Sequence, residues 1–225
     1  MSIKENITQI IRELPSDVKL VAVSKFHPVE SIMEAYGAGQ RVFAESRPQE
    51  LAAKVPAMES WLAANGMQND IVWHFIGHLQ TNKLKMVLPY ASLVQSVDSL
   101  HLLEAIEKWG RDNGKVVAVL LEYHIASEES KQGFSEEEIK GILSDVGRFP
   151  HIRFRGLMGM ATFTEDESVI RSDFSRISLL FKEVSSSIPD FSELSIGMSG
   201  DYRIAIEYGS TMVRIGTMIF GERNY

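Results

Sequence analysis

The sequence predicts an α/β protein, a single (β/α)8 TIM barrel with an extra N-terminal helix. Short apolar runs alternate with helical patterns along the whole chain, and eight such runs can be identified. Most of them are continuously apolar, as expected for strands that are buried on both faces of a parallel sheet. A doubly wound open sheet is the alternative fold, but its Gly-x-Gly-x-x-Gly fingerprint is missing after the first strand.

A helix is predicted at residues 3–14, before the first strand. Ile3, Ile7 and Ile10 recur at helical spacing, and Pro15 ends the pattern. The strands are then predicted at residues 20–24, 41–44, 71–75, 93–95, 116–123, 155–158, 193–196 and 212–215.

The segments between the strands carry the signals that begin and end helices. Pro28 and Pro48 each stand where a proline opens a helix, and Pro89 follows the end of another. Ser99 is a candidate N-cap, and Ser135 begins a Ser-Glu-Glu-Glu capping box. The predicted helices are residues 28–38, 48–64, 79–88, 99–110, 139–146, 166–187 and 201–208.

The composition is that of an ordinary soluble globular protein, with 225 residues of which 44% are hydrophobic and 24% charged. A net charge of −7 argues against a general nucleic-acid binder. No apolar stretch reaches the roughly 18 residues that span a bilayer, and the N-terminus lacks the apolar core of a signal peptide. Without cysteine there are no disulfides and no thiolate metal ligands. We therefore expect a cytoplasmic protein with neither nucleic-acid nor membrane partners.

The chain is long enough for one large α/β domain or two small ones. It contains no linker, no low-complexity segment and no break in composition, so residues 1–225 are predicted to form one domain. No strand or helix presents a spare apolar face, and we therefore expect a monomer.

Lys25 ends the first apolar run, which covers residues 19–25. An ammonium at the end of a buried strand is costly to desolvate. Burial is therefore expected to lower its pKa towards the neutral amine, which attacks carbonyls to form a Schiff base. A surface lysine just past a strand is the alternative interpretation.

Small, glycine-containing turns follow the last two predicted strands, Ser195-Ile-Gly-Met-Ser199 and Arg214-Ile-Gly-Thr217. In TIM barrels a phosphate site often lies after strands 7 and 8. Ser199 comes just before a short predicted helix, whose first N–H groups can face an anion. Gly216 allows close approach of the backbone, and Thr217 adds a hydroxyl. The alternative is that these glycines only form tight turns.

No metal site is predicted. His74 alternates within an otherwise apolar strand, a pattern typical of a hydrogen-bonded core histidine. His74 and His78 flank a glycine-containing turn rather than one face of a helix, so they lack the spacing of metal ligands. His78 and His124 are predicted loop residues after the third and fifth strands.

Eight short motifs occur in the order and at the spacings of one known family. They are Val21-Ala-Val-Ser-Lys25, Trp73-His-Phe-Ile-Gly77, Leu79-Gln-Thr-Asn-Lys83, Gln95-Ser-Val-Asp98, Glu128-Glu-Ser-Lys-Gln-Gly133, Gly156-Leu-Met-Gly-Met160, Leu194-Ser-Ile-Gly-Met-Ser199 and Met212-Val-Arg-Ile-Gly-Thr217. Through them the chain resembles, from end to end, the pyridoxal 5′-phosphate homeostasis proteins, also called the YggS/PROSC family.

The resemblance implies a barrel like the N-terminal domain of bacterial alanine racemase, with pyridoxal 5′-phosphate as its cofactor. It places the Schiff base on Lys25 and Arg214 against the pyridine nitrogen. The other implied cofactor contacts are Ser199, Gly216 and Thr217 at the phosphate, and His74, Ile76 and Met158 around the ring. The family is associated with pyridoxal phosphate supply and with amino and keto acid balance, without a firm catalytic activity.

Three positions depart from the family's usual residues. The Gly-Glu-Asn common after strand 2 is Ala44-Glu-Ser46 here, so an amide near the cofactor becomes the shorter Ser46 hydroxyl. A water could bridge the resulting gap. His78 replaces a common proline and adds a titratable group at the mouth, and His124 replaces a common asparagine. None of these changes removes Lys25 or the phosphate turns.

Three functions are compatible with these residues. We favour a protein that buffers pyridoxal phosphate and delivers it to apo-enzymes, because an arginine at the pyridine nitrogen opposes ring protonation and so weakens the electron sink. A pyridoxal-phosphate-dependent racemase or lyase of small amino acids is the alternative, with Lys25 and either His78 or His124 as bases. Alanine racemase draws its second acid/base from another domain, for which we expect no room in the ten residues after strand 8. The third function is a Schiff-base aldolase acting on a sugar phosphate.

Overall fold

Eight parallel strands close into a barrel in chain order, which confirms the predicted (β/α)8 fold. The computed structural model describes residues 2–127 and 132–222, so the Glu128-Glu-Ser-Lys part of one family motif lies outside the described residues. The strands are β1 (Lys19–Val23), β2 (Val42–Glu45), β3 (Val72–Phe75), β4 (Leu93–Val97), β5 (Val117–Glu122), β6 (Ile152–Met158), β7 (Glu193–Met198) and β8 (Met212–Ile215).

Helices surround the barrel and connect successive strands. They are α1 (Ile3–Glu13), α2 (Val29–Gly37), α3 (Pro48–Ala64), α4 (Leu84–Val87), α5 (Leu100–Asn113), α6 (Glu136–Ser144), α7 (Glu167–Ser185), α8 (Tyr202–Glu207) and α9 (Thr217–Phe220). No helix in the described ranges is long and apolar enough to cross a membrane.

Alternation along each strand separates the barrel interior from the layer beneath the helices. On β1, Val21 and Val23 belong to the interior cluster, which also contains Met158 and Met212. Leu20 belongs instead to the larger core between the barrel and the helices. The barrel is therefore packed on both sides of its wall, which explains the continuously apolar strands in the sequence.

The predicted helix caps are present. Ser135 accepts a hydrogen bond from the Glu138 N–H while the Glu138 carboxylate accepts one from the Ser135 N–H, which completes the capping box of α6. Ser99 caps α5, because its Oγ accepts a hydrogen bond from the Leu102 N–H. Ser2 and Glu5 form a second capping box at α1, which was not identified from the sequence.

One predicted helix is not continuous in the structure, although its apolar residues are buried as expected. The segment predicted as a helix at 79–88 contains a 3-10 turn, Thr81–Lys83, followed by the single turn α4. Leu79 and Leu88 are buried all the same. The turn after β8 forms the short helix α9, which was not predicted because a four-residue helix leaves no periodic pattern.

Gly156 of β6 is paired with Glu193 of β7. A Cβ at this position would lie 1.7 Å from the Glu193 carbonyl oxygen, which is part of the backbone and cannot rotate away. Gly141 lies on the exposed side of α6, and a Cβ there would have no other group within 4 Å.

We predict that Gly156→Ala lowers the free energy of unfolding by about 3 kcal/mol or more, because the strands must separate to admit the methyl group. Gly141→Ala is the matched control and should stabilise the protein by up to about 1 kcal/mol through helix propensity. Urea unfolding followed by circular dichroism measures both changes. Equal stability of the two variants would contradict the assigned close approach.

Candidate functional site

A cavity of about 250 Å³ opens at the carboxyl ends of the barrel strands. Its lining residues are Val23, Lys25, His27, Ile76, Met158, Met160, Met198, Ser199, Gly200, Arg214, Gly216 and Thr217. Seven of the nine predicted cofactor contacts are thus brought together, from strand ends far apart in the sequence. The other two, His74 and Ser46, do not line this cavity, and their contact with a cofactor stays a prediction.

Lys25 faces the cavity because side chains at the end of β1 alternate between the two sides of the barrel wall. Val23 faces the barrel interior, Ser24 is buried on the opposite side, and Lys25 faces inward again at the mouth, where it is half-buried. Met158, Ile76 and other apolar side chains form the walls beside it. The amine is therefore placed in a cavity that combines apolar walls with the polar turns that follow β7 and β8.

Arg214 is buried in the barrel and held by neutral acceptors. Its Nη1 donates to the Ser195 carbonyl and to Ser195 Oγ, both at 2.7 Å, and its Nη2 donates to the Gly159 carbonyl at 3.0 Å. No ion pair to Arg214 occurs within residues 2–127 and 132–222. Burial lowers the pKa of Arg214 to about 10, while Asp201 and Glu122 act in the opposite direction. The guanidinium thus remains a cation at neutral pH.

His74 belongs to a hydrogen-bonded chain that ends at Arg214. Ser195 Oγ donates to Gln95 Oε1 at 2.7 Å, and Gln95 Nε2 donates to His74 Nδ1 at 2.8 Å. An accepting Nδ1 carries no proton, so His74 is neutral. The chain runs through the barrel interior below the cavity and sets the orientation of Arg214.

The two glycine-containing turns carry unused backbone donors on the cavity wall. In the described part of the chain, the N–H groups of Ser199, Gly200, Gly216 and Thr217 donate to no protein acceptor. The Ser199 and Thr217 hydroxyls lie on the same wall. A Cβ on Gly216 would come within 3.1 Å of the Val23 carbonyl oxygen, so a larger residue would push the turn away from β1. Such a set of donors suits an anion.

Ser46 lies outside the cavity wall, just after β2. Its backbone packs against Gly77, where a Cβ would lie 2.0 Å from the Ser46 carbonyl oxygen. The hydroxyl of Ser46 is therefore on a loop beside the cavity rather than on its lining.

Glu122, at the end of β5, was not identified from the sequence. It is 6% exposed, and no hydrogen bond from a described residue reaches its carboxylate. Burial, and then the charge of Asp98, raises the pKa of Glu122 to about 7, while Arg214 and His78 oppose the shift. Strand alternation could have identified it, because Glu122 shares its face with Leu120 in the barrel interior.

His78 and His124 occupy different surroundings at the mouth. His78 Nδ1 lies 2.9 Å from Asp98 Oδ2, and its side chain is about half exposed. The His124 N–H donates to the Phe134 carbonyl, which ties the start of the loop after β5 to the segment before α6.

We predict that His74 makes the protein less stable in mild acid. Burial, together with the positive charge of Lys19, lowers the pKa of His74 to about 3, against about 6.5 in an unfolded chain. The unfolded state therefore binds the proton first. The stability present above pH 6.5 is lost as the pH falls towards 3, by up to about 1.4 kcal/mol per pH unit.

Urea unfolding at pH 8, 6.5 and 5 tests this expectation. His74→Gln keeps an acceptor for Gln95 but does not titrate, so its stability should fall less between pH 6.5 and 5 than that of the parent protein. His101→Gln, at an exposed position, is the control and should follow the parent. Identical pH dependence in all three proteins would refute the assignment.

A closed barrel with a lysine and two glycine-containing turns at its mouth is the architecture of the alanine racemase N-terminal type. The family model "Alanine racemase, N-terminal domain" matches residues 1–224. An alanine racemase of Clostridium difficile 630 superposes with a TM-score of 0.72 over 100% of this chain and 56% of that chain. At 16% identity this likeness shows the fold alone.

Relatives that align over nearly the whole chain identify the family within this class of barrel proteins. The pyridoxal phosphate homeostasis protein of Vibrio alginolyticus is 36% identical over 234 residues, covering 100% of this chain and 99% of that protein. The human protein of the same name is 38% identical over 241 residues, covering 100% and 85%. PipY of Synechococcus elongatus, solved with PLP bound, is 31% identical with a TM-score of 0.85 over 98% and 100% of the two chains. The chain belongs to the pyridoxal phosphate homeostasis protein family, as its motifs predicted.

Proposed function

We propose that this protein binds pyridoxal 5′-phosphate reversibly as a Schiff base on Lys25 and acts in cofactor homeostasis by buffering and delivering it. The observation that carries the proposal is that an amine and a set of unused N–H donors line one cavity. The PLP-bound state of PipY, a relative with the same fold, supports it.

The cavity has the chemistry that a phosphate-bearing aromatic aldehyde requires. The turns at Ser199 and Gly216 offer backbone donors to a phosphate, and the apolar walls at Ile76 and Met158 suit a flat ring. Lys25 supplies the nucleophilic nitrogen. When bound, the cofactor supplies an electrophilic carbonyl carbon and an electron-withdrawing ring.

The positive charge of Arg214 supports the proposal of a carrier rather than a catalyst. This charge is not neutralised by an ion pair in the described ranges, and the side chain is fixed by Ser195 and Gly159. A fixed cation facing a pyridine nitrogen disfavours protonation of that nitrogen. An unprotonated ring accepts electrons poorly, which opposes the carbanion chemistry of most enzymes that use this cofactor.

A racemase or lyase of small amino acids remains the second candidate because of Glu122. Its carboxyl group is buried in the barrel and has a pKa of about 7, which is suited to a general acid or base. β5 also lies opposite β1 in the closed eight-stranded barrel. A proton-transfer residue across from Lys25 is what racemisation would need.

We predict that Lys25 carries the covalent link. Purified protein mixed with pyridoxal phosphate should show a yellow absorbance band that borohydride removes, leaving a phosphopyridoxyl mass on the Lys25 peptide. Lys25→Ala should lose the band and the mass while keeping some cofactor through the phosphate turns. Lys85→Ala, at an exposed lysine, is the control and should behave as the parent. An undiminished band in Lys25→Ala would overturn the assignment, and a colourless parent protein would favour the aldolase.

We predict transfer of cofactor without turnover. The loaded protein should restore the activity of an apo-enzyme even when a phosphatase removes free pyridoxal phosphate. The same preparation should not exchange the α-hydrogen of alanine in D2O, as followed by NMR. Exchange that disappears in Glu122→Gln would instead establish the racemase or lyase, and restoration that the phosphatase abolishes would argue against direct delivery.

A further inference from the structure

A buried cluster of charged residues lies directly behind the cavity wall at Lys25. Glu45, the last residue of β2, is fully buried, and its Oε1 accepts a hydrogen bond from Lys54 Nζ at 2.8 Å. Lys54 reaches in from α3 and also donates to Glu50 Oε2 at 2.8 Å. Glu45 faces the helices because it alternates with Ala44, which faces the barrel interior. The cluster therefore lies outside the barrel, between its wall and α3.

The same three side chains bind the residues on both sides of Lys25. Ser24 Oγ donates to Glu45 Oε1 at 2.7 Å, and Lys54 Nζ donates to the Ser24 carbonyl at 2.9 Å. On the other side, the Phe26 N–H donates to Glu50 Oε2 at 2.9 Å. These bonds fix where the chain leaves β1 and where it turns towards α2.

Phe26 adopts a conformation that needs such support. Its φ is +67°, in the left-handed region that bulky residues rarely enter, at a cost on the order of 1 kcal/mol or more. The Arg47 guanidinium lies 4.1 Å from the centre of the Phe26 ring, and Arg47 also contacts Glu50. The left-handed turn directly follows Lys25, so its relaxation would change the direction of the lysine side chain.

Stability alone is a poor explanation for this cluster. Glu45 and Glu50 share the ammonium of Lys54. Arg47 lies 3.6 Å from the Glu50 carboxylate. Glu45 Oε2 is buried, and no described residue donates a hydrogen bond to it. Burial is the largest influence on Glu45 and raises its pKa to about 7 despite the nearby Lys54. Buried ion pairs of this kind often stabilise a fold less than apolar residues would. Strained, imperfectly satisfied groups of this kind are typical of functional sites.

We infer that Glu45, Glu50 and Lys54 are positioning residues that anchor residues 24–26 and thereby aim the Lys25 amine into the cavity. The inference rests on the proposed role of Lys25 and extends it to residues that never touch the cofactor. It also gives Ser24 and Phe26 a function, because they are the two residues that form hydrogen bonds with the three positioning side chains.

The test compares Glu45→Ala with a matched variant, Glu193→Ala. Glu193 is also a buried glutamate on a barrel strand, paired with Lys19 and Arg155, but it lies at the opposite end of the barrel. Two quantities are measured at a temperature where circular dichroism shows folded protein. They are the fraction of Lys25 that borohydride fixes to pyridoxal phosphate, and the rate of Lys25 acetylation by acetic anhydride relative to Lys85.

Glu45→Ala should change both Lys25 readouts by about tenfold, since small displacements of a reacting group have effects of this size or larger. Glu193→Ala should lose stability but leave both readouts at the parent level. Glu45→Gln keeps an oxygen acceptor for Ser24 and Lys54 and should restore most of the parent behaviour. Unchanged readouts in Glu45→Ala, or equal changes in the two alanine variants, would overturn the inference.

A second variant keeps the inference testable if Glu45→Ala does not fold. Glu50 is partly exposed, so its replacement should destabilise the fold less than that of Glu45. Glu50→Ala removes the acceptor of the Phe26 N–H. It should shift the acetylation rate of Lys25 in the same direction as the loss of Glu45, and an unchanged rate would refute the anchor. A parent protein that takes no pyridoxal phosphate on Lys25 would refute the proposed function instead, because the acetylation rates still report on the anchor by themselves.

Discussion

The pairing of the first strand with the last is the constraint on which the rest of the structure depends. β1 lies parallel to β8, with Val21 opposite Arg214 and Ala22 opposite Ile215. Continuing this register brings Val23 beside Gly216, and the lysine that ends the first apolar run arrives next to the last glycine turn. Without closure, the amine and the anion donors would belong to opposite edges of an open sheet. Closure also removes both sheet edges, so every strand has two neighbours.

Two buried polar networks lie on either side of this closed wall. Inside the barrel, the chain from His74 through Gln95 and Ser195 to Arg214 uses neutral partners to hold a cation. Outside the barrel, the cluster of Glu45 and its neighbours uses charged partners to hold a turn. Both are costly to desolvate, and both lead to a residue that lines the cavity. The polar side chains buried near the barrel mouth are thus concentrated where they control the geometry of the site.

The electrostatic arrangement of the cavity is the basis on which we propose a carrier rather than an enzyme. The cavity presents an amine, unused N–H donors and a buried guanidinium, all of which attract an anionic aldehyde. Arg214 remains a cation at neutral pH because burial lowers its pKa only to about 10. Its acceptors are carbonyl and hydroxyl oxygens, which leave that charge without a neutralising ion pair in the described part of the chain. Glu122 instead supports an enzyme, because a buried carboxyl group with a pKa of about 7 can donate and accept protons near neutral pH. The proposal of a carrier and the alternative of an enzyme thus rest on two different residues, Arg214 and Glu122, in one barrel.

The sequence by itself predicted the order of the eight strands, the lysine that follows the first strand and the two glycine-containing turns, because local periodicity and residue type indicate them. The boundaries of α3 follow directly from Pro48 and the helical pattern behind it. Depth within the barrel was decided only by the tertiary structure. His74 lies within β3 and Ile76 directly follows it, and only Ile76 lines the cavity, because His74 lies two residues deeper in the barrel. The hydrogen-bond partners of Arg214 and Glu45 lie on or next to other strands and helices, 9 to 55 residues away in the chain, so no local sequence pattern identifies either network.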